Sequence, residues 1–400
     1  MKKRIIIAMH YMELGGAEIS LIGLLHVLDY SKYDVDLFIH SHRGELMKFV
    51  PKEVHLLPEI TEYACIESPM AAAIRRGKMG IVWGRLKAKI RALEYLPKDT
   101  TKPQCGIFQY IAQEVENYLP SLEKYGVYDL AISFLPPHNY VLSKVRAKKK
   151  ACWIHTDYSK VEFDADAEFP IWSAYDHIVS ISKDVTISFL KVFPSLKGKI
   201  VEIENILLPE LVRERSNKKN VKDEMPIAED KVNILSVGRF TDAKNFDNVP
   251  DICKRIREYG INLHWYLIGY GGDEKLIRKC IQEAEMENYV IILGKRTNPY
   301  PYIKACDIYA QPSRYEGKSV TVREAQILCK PVVITNYPTA KSQVQDGVDG
   351  VIVPLDNEGC AKGIVDFIHR KDLQNHIVSY LETHEYGNMS EVTKIDLLFE

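Results

Sequence analysis

The chain has 400 residues, 46% hydrophobic and 27% charged, with a formal net charge of −1. That length suits two cores better than one, and the composition is that of a folded globular protein. Near-neutrality gives no support to nucleic-acid binding. No apolar run approaches the roughly 18 residues of a membrane span. Lys2, Lys3 and Arg4 ahead of Ile5–Met9 imitate a signal peptide, but the run is too short and Gly15-Gly16 follows with no cleavage pattern. A buried first strand is the better reading. The cysteines Cys65, Cys105, Cys152, Cys253, Cys280, Cys306, Cys329 and Cys360 form no CxxC pair. The expectation is a reduced, cytoplasmic protein with no structural metal.

Short apolar runs then alternate with longer amphipathic stretches. In the first half they are Arg4–Met9, Val35–Ile39, Val54–Leu57, Leu130–Phe134, Ala151–Ile154, His177–Ile181 and Ile200–Ile203. They are continuous and rich in β-branched residues, as strands buried on both faces should be. The pattern restarts with Val232–Val237, Leu263–Ile268, Val290–Leu293, Ile308–Ala310, Val332–Ile334 and Val351–Val353, with helical stretches such as Asp273–Glu287 and Thr321–Cys329 between them. Alternating strand and helix predicts parallel sheets with right-handed crossovers, an α/β protein of two Rossmann-like domains. The polar stretch 209–230 reads as the linker. The first domain then takes 1–208 plus a C-terminal helix in 386–400, and the second takes 231–385. Ligands of such sheets bind at the carboxyl ends of the strands, so the cleft between the domains is the default site.

Residues 74–98 stand apart. Arg75, Arg76, Lys78, Arg85, Lys87, Lys89, Arg91 and Lys98 face one acid, Glu94, and Ile81, Val82, Trp83, Leu86, Ile90 and Leu93 recur among them at near-helical spacing. This is either a basic amphipathic helix for peripheral contact with an anionic inner membrane, or a solvated helix that packs its apolar face on the domain.

Four groups of residues point to chemistry. In Tyr315–Glu324, Glu316 and Glu324 are separated by seven residues, after a strand and the turn Gln311-Pro312-Ser313. Ser319 would cap the following helix and leave backbone N–H groups free for a diphosphate. On one helix the two acids would be about 12 Å apart, enough for one to meet a sugar and the other a ribose. In Ser236–Phe240 a strand ends in Gly238, and Arg239 and Lys244 follow. Two fixed cations would stabilise the charge growing on a leaving phosphate more than they stabilise the ground state. In His10–Glu18, Gly15 and Gly16 allow close backbone approach to phosphate or sugar, though this is not GxGxxG and a dinucleotide site is disfavoured. In Cys152–Asp157, His155 lies at the end of a strand, where loops face the cleft.

These pieces resemble the family 4 retaining glycosyltransferases of GT-B fold. The likeness rests on Val237-Gly238-Arg239-Phe240 with Lys244, Ile268-Gly269 with Gly271, Leu293-Gly294, Ala310-Gln311-Pro312-Ser313, the Glu316 to Glu324 spacing, Pro331-Val332-Val333 and Gly350–Pro354. The Glu316–Val320 variant is similar to enzymes that build bacterial capsule or lipopolysaccharide chains. The resemblance implies a first domain for the acceptor, a second for the nucleotide sugar, and a final helix crossing back to the first. It implies that Glu316 meets the transferred sugar, Glu324 the ribose, and Arg239 and Lys244 the diphosphate. Gly15, Gly16 and the backbone of Gly317, Lys318, Ser319 and Val320 would close on phosphate and sugar, His155 would face the sugar, and Arg296 would lie near the base. Lys318 stands where many relatives carry an apolar residue.

The expected reaction is transfer of a hexose or N-acetylhexosamine from a nucleotide sugar, with UDP as the nucleotide, to a growing surface glycan or lipid-linked acceptor. The implied course is retention of configuration, with neither metal nor cofactor. The rivals are a nucleotide-sugar 2-epimerase of similar fold and a non-catalytic partner of a transferase. Asp34-Val35-Asp36 and Asp164-Ala165-Asp166 match the DxD string of metal-dependent transferases, but neither follows a strand, and both read as solvated acids.

Overall fold

The structure is a computed structural model that describes residues 2–13, 15–95, 104–156, 158, 161–226, 231–316 and 318–400. The chain divides into two compact units. One runs from the N-terminus to Ile206 and takes in Asn388–Glu400; the other is Leu207–Gly387.

The first unit is built on β1 (Lys3–Met9), β2 (Tyr33–Ile39), β3 (His55–Leu56), β4 (Tyr128–Ser133), β5 (Ala147–Ile154), β6 (His177–Ser180) and β7 (Ile200–Glu202). They form a seven-stranded sheet in the order β3-β2-β1-β4-β5-β6-β7, every pairing parallel. The second holds β8 (Val232–Val237), β9 (Leu263–Ile268), β10 (Val290–Gly294), β11 (Ile308–Gln311), β12 (Val332–Thr335) and β13 (Val351–Val353). Its six-stranded sheet runs β10-β9-β8-β11-β12-β13, again all parallel. Each apolar run of the sequence lies at one of these strands. Ile5, Ile6 and Ile7 show why: successive side chains point to opposite faces, and all three are buried.

Each sheet reverses its strand order once, between β1 and β4 and between β8 and β11. At such a reversal the loops leaving the two central strands diverge to opposite faces and open a crevice at the carboxyl edge. The candidate residues of the second unit follow β8 and β11. The core beneath them pairs buried polar groups between strands. Buried Trp265 donates its indole N–H to Ser236 Oγ at 2.9 Å, and Ser236 donates onward to Ala310 O at 2.6 Å.

Two sequence expectations change. The stretch expected as a linker opens with a helix, Pro209–Ser216, which packs on helices Tyr300–Ala305 and Val320–Ile327. Val212, Arg215 and Ser216 are buried there, so this segment is part of the second unit; residues 227–230 lie outside the described ones. The helix escaped detection because it is short and half charged, and its inner face includes an arginine. The C-terminal segment returns to the first unit, but as a 3-10 helix over Met389–Phe399. Tyr33 OH donates to Asp396 there at 2.5 Å, and the Tyr33 and Phe399 rings stack at 5.8 Å.

Candidate functional site

Lys244 and Glu316 meet. Lys244 closes a single 3-10 turn, Asp242–Lys244, in the loop after β8, and Asn245 beyond it takes a left-handed conformation that Asn tolerates. Glu316 lies in the loop after β11. The two loops are tied together: Asn245 Nδ2 donates to Pro312 O at 2.9 Å, Arg314 N to Ala243 O at 2.9 Å, and the Arg314 guanidinium forks onto Asp247 at 2.9 and 2.6 Å. Lys244 Nζ then reaches Glu316 Oε1 at 2.5 Å. The same oxygen accepts from Ser313 Oγ at 2.6 Å and Gln311 Nε2 at 3.3 Å. Three donors on one oxygen hold the carboxylate in one orientation.

Glycine is needed beside this pair. A Cβ on Gly238 would stand 3.0 Å from the Lys244 side chain, and one on Gly269 would stand 1.9 Å from Gly238 O. The carboxyl ends of β8 and β9 thus approach more closely than any side chain permits. Arg239, next to Gly238, is exposed.

Glu324 sits deeper. It lies within helix Val320–Ile327, is 1% exposed, and accepts from Tyr300 OH at 2.8 Å. Burial pushes its carboxyl up to about 7, against the smaller opposing effects of the Tyr300 hydrogen bond and the Arg215 charge. Near neutral pH it is therefore divided between acid and carboxylate. The two acids are not on one helix, since Glu316 precedes its start, so the 12 Å expected from helical rise does not apply. A buried network backs Glu316. Tyr309 OH donates to Gln311 Oε1 at 2.7 Å, Thr321 Oγ1 reaches the same oxygen at 3.3 Å, and Gln311 Nε2 turns to Ser313 and Glu316. Burial, and to a lesser extent the charges of Glu324 and Glu316, raise the Tyr309 hydroxyl well above its usual value.

Ser319 occupies the N-cap position of the Val320–Ile327 helix but makes no side-chain cap bond. Its hydroxyl pairs with Thr321 Oγ1 at 3.1 Å, and its backbone N–H donates to Gln343 at 2.9 Å. The capping expected of Ser319 is therefore positional only, because Thr321 holds the hydroxyl. The first-turn N–H groups from Val320 onward are not capped by the Ser319 side chain, the arrangement that suits an anion. Lys318 is half-buried; Gly317 lies outside the described residues. Arg296 is turned to Glu224 at 2.5 Å and Tyr302 OH at 2.9 Å, and nothing brings it to the Glu316 pair.

In the first unit Gly15 is the N-cap of helix Gly16–Val27 in an extended conformation. A Cβ at Gly15 would lie 2.2 Å from Glu18 Oε2. The Glu18 carboxylate thus folds back against the helix start and supplies negative charge there itself. His155 follows β5, and burial lowers its imidazole to about 4, so it is neutral at pH 7. His10, His40 and His138 likewise follow β1, β2 and β4; His10 and His40 stack at 4.7 Å, and His10 Nδ1 lies 2.6 Å from Glu67. Sequence reasoning passed over His40 and His138 and used His10 only to open the His10–Glu18 group, although each histidine comes within a few residues of a strand's end.

Sequence reasoning also missed Tyr300 and Arg215, because their neighbours come from remote segments, and it read Gln311 only as part of the turn Gln311-Pro312-Ser313. The DxD strings have structural duties. Asp36 accepts from Tyr128 OH at 2.5 Å and pairs with His55 at 2.8 Å, so it is a part-buried anchor rather than a solvated acid. Asp164 accepts from Ala167 N at 3.0 Å and caps a helix.

Two parallel Rossmann-like sheets, with the candidate loops at a strand-order reversal, define the α/β class known as GT-B. Residues 217–384 match the family model described as glycosyl transferases group 1. The chain is similar to HepE of Anabaena, solved with UDP and glucose, at a TM-score of 0.68 and 15% identity over 99% of this chain and 98% of that one. It is also similar to WaaG, a glycosyltransferase involved in lipopolysaccharide biosynthesis, at a TM-score of 0.64 and 12% identity over 98% and 99% of the two chains. Among curated relatives, an N-acetylgalactosamine-N,N'-diacetylbacillosaminyl-diphospho-undecaprenol 4-alpha-N-acetylgalactosaminyltransferase of Campylobacter jejuni is 31% identical over 31% of this chain and 34% of its own length. The chain spans about a third of the length of the curated relatives it matches first.

Proposed function

We propose that this protein is a glycosyltransferase that moves a hexosyl or N-acetylhexosaminyl group from a UDP-sugar to a growing surface glycan or lipid-linked acceptor. The observation that carries the reading is the Lys244–Glu316 pair, held at the strand-order reversal beside exposed Arg239 and ahead of a helix start whose N–H groups Ser319 does not cap. The family match over 217–384, the UDP in the HepE structure and the lipid-linked substrate in the name of the Campylobacter enzyme support it.

In this reading the bond between the sugar's anomeric carbon and the diphosphate breaks, and its electron pair stays on phosphate oxygen. The acceptor hydroxyl bonds to that carbon, and its proton passes to the departing phosphate oxygen. Lys244 and Arg239 stabilise the growing phosphate charge, the Val320 helix start shares it, and Glu316 orients both Lys244 and the sugar. Glu324 receives the ribose hydroxyls. Gly15, Gly16, His155 and Arg296 keep the roles that the resemblance implies, as does retention of configuration.

In this reading Lys244, held by Glu316, and Arg239 offset the phosphate charge without a metal. Turnover is therefore expected to survive EDTA; complete loss, restored by Mn²⁺, would remove the metal-independent assignment. The reading is tested by thermal shift with a panel of nucleotide sugars. A donor at about a hundred times its Kd should stabilise the chain by about 2.7 kcal/mol. Incubation with donor alone then separates the chemistries, because a transferase at most hydrolyses the donor slowly. Conversion to an epimer, or no shift with any nucleotide sugar, would defeat the proposal.

A further inference from the structure

Helix Met79–Glu94 has two apolar faces, and only one is used inside the protein. Ile81, Val82, Gly84 and Ala88 are buried, where the helix packs on Gly106–Val115. The approach is close: a Cβ would stand 2.7 Å from Glu114 O at Gly84 and 2.4 Å from the Tyr118 ring at Gly80. On the other side Met79, Trp83, Leu86, Ile90 and Leu93 are 57, 56, 41, 59 and 85% exposed. At 3.6 residues per turn these five form a stripe about 80° wide, diametrically opposite Ala88. Lys87 and Lys89, both exposed, stand about 80° to either side of it. Of the apolar residues read from the sequence, Ile81 and Val82 pack on the unit as the alternative expected, whereas Trp83, Leu86, Ile90 and Leu93 remain exposed.

The charges also sort into two sets. Arg85 donates to Cys65 O and Ser68 O at 3.1 and 2.6 Å. Arg91 lies over the Tyr110 ring and donates to Gln113, and Lys78 pairs with Glu62 at 2.6 Å. These three hold the helix to its own unit. Lys87 and Lys89 are exposed beside the stripe, Arg75 and Arg76 are exposed at the end of the preceding helix, and Glu94 is the one acid in 74–94.

We propose that this face lies flat on an anionic lipid bilayer. Trp83, Leu86 and Ile90 enter the boundary between headgroups and acyl chains, and Lys87 and Lys89 reach back to anionic headgroups. Charge complementarity selects this occupant over a second copy of the chain, whose stripe would bring cations of the same sign against these. No described helix is long and apolar enough to cross a membrane. The proposal does not rest on the sugar chemistry, and its test reads no turnover.

Trp83 is exposed, whereas Trp153, Trp172 and Trp265 are buried, so intrinsic fluorescence reports this face. The full chain should co-sediment with phosphatidylcholine vesicles that contain phosphatidylglycerol, but not with phosphatidylcholine alone. Binding should shift the emission to shorter wavelength and weaken with salt. Lys87→Gln with Lys89→Gln should lower partitioning about 30-fold, at about five-fold per neutralised lysine. Leu86→Ser with Ile90→Ser should abolish the emission shift, and Lys191→Gln with Lys197→Gln, exposed elsewhere in the same unit, should change nothing. An unaltered thermal midpoint checks that each variant is folded. Absence of binding by the parent, equal binding to neutral vesicles, or undiminished binding by the Lys87 and Lys89 variant would overturn the proposal. So would a parent that self-associates without vesicles and loses that association with Leu86 and Ile90.

Discussion

Glu324→Ala is expected to lower turnover 100-fold or more in a folded protein, a loss of about 3 kcal/mol. The ribose hydroxyls would lose the one carboxylate assigned to them. The companion Glu324→Gln separates this role from a structural one. The carboxyl of Glu324 is raised from 4.5 to about 7 by burial, so the folded state holds its proton more tightly than the unfolded chain does. Its contribution to stability is fully present below about pH 4.5 and is lost as the pH rises through about 7. At pH 8 the parent carries a buried charge that costs about 3 kcal/mol, and glutamine removes it while still accepting from Tyr300. Glu324→Gln should therefore raise the thermal midpoint at pH 8, leave it nearly unchanged at pH 5, and still weaken UDP-sugar binding. A gain in stability with undiminished donor affinity would make Glu324 a residue of the core alone.

Lys244→Ala is expected to cost a comparable 100-fold or more in turnover, about 3 kcal/mol, for a different reason. Lys244 is the cation on Glu316. Its removal takes positive charge from the leaving phosphate and also leaves the Glu316 carboxylate facing that phosphate with no cation between them. Lys244→Ala with Glu316→Gln should then recover part of the donor affinity lost by Lys244→Ala, since the repulsion goes with the second substitution. Additive losses in the double variant would show that the pair does not act as a unit. Lys244→Arg keeps the charge but not the single-point geometry on Glu316, and should fall between parent and alanine.

The elements that were readable in the sequence share a property. In strands such as Lys3–Met9 and Leu263–Ile268 the pattern is carried by adjacent residues and needs no partner to be seen. Gly238 before Arg239 and the turn before Glu316 were readable for the same reason. Helix Pro209–Ser216 was not, because eight residues of which half are charged carry too little apolar periodicity, and its buried Arg215 resembles a solvated one until Tyr300 and Thr297 are placed beside it. The basic helix was only half readable. Its apolar residues and charges were visible, but which face packs depended on the backbone approach that Gly80 and Gly84 allow.

By itself, then, the sequence determined two parallel-sheet units, the strand ends that carry Arg239, Lys244 and Glu316, and the acid four residues into the following helix. Only the tertiary structure decided that Lys244 closes on Glu316 across 72 residues of chain, that Glu324 is buried and bonded to Tyr300, and that Trp83, Leu86 and Ile90 face outward. Periodicity is a property of neighbours along the chain. Ion pairing and burial instead belong to segments that meet only after the strand order of the sheet has brought them together.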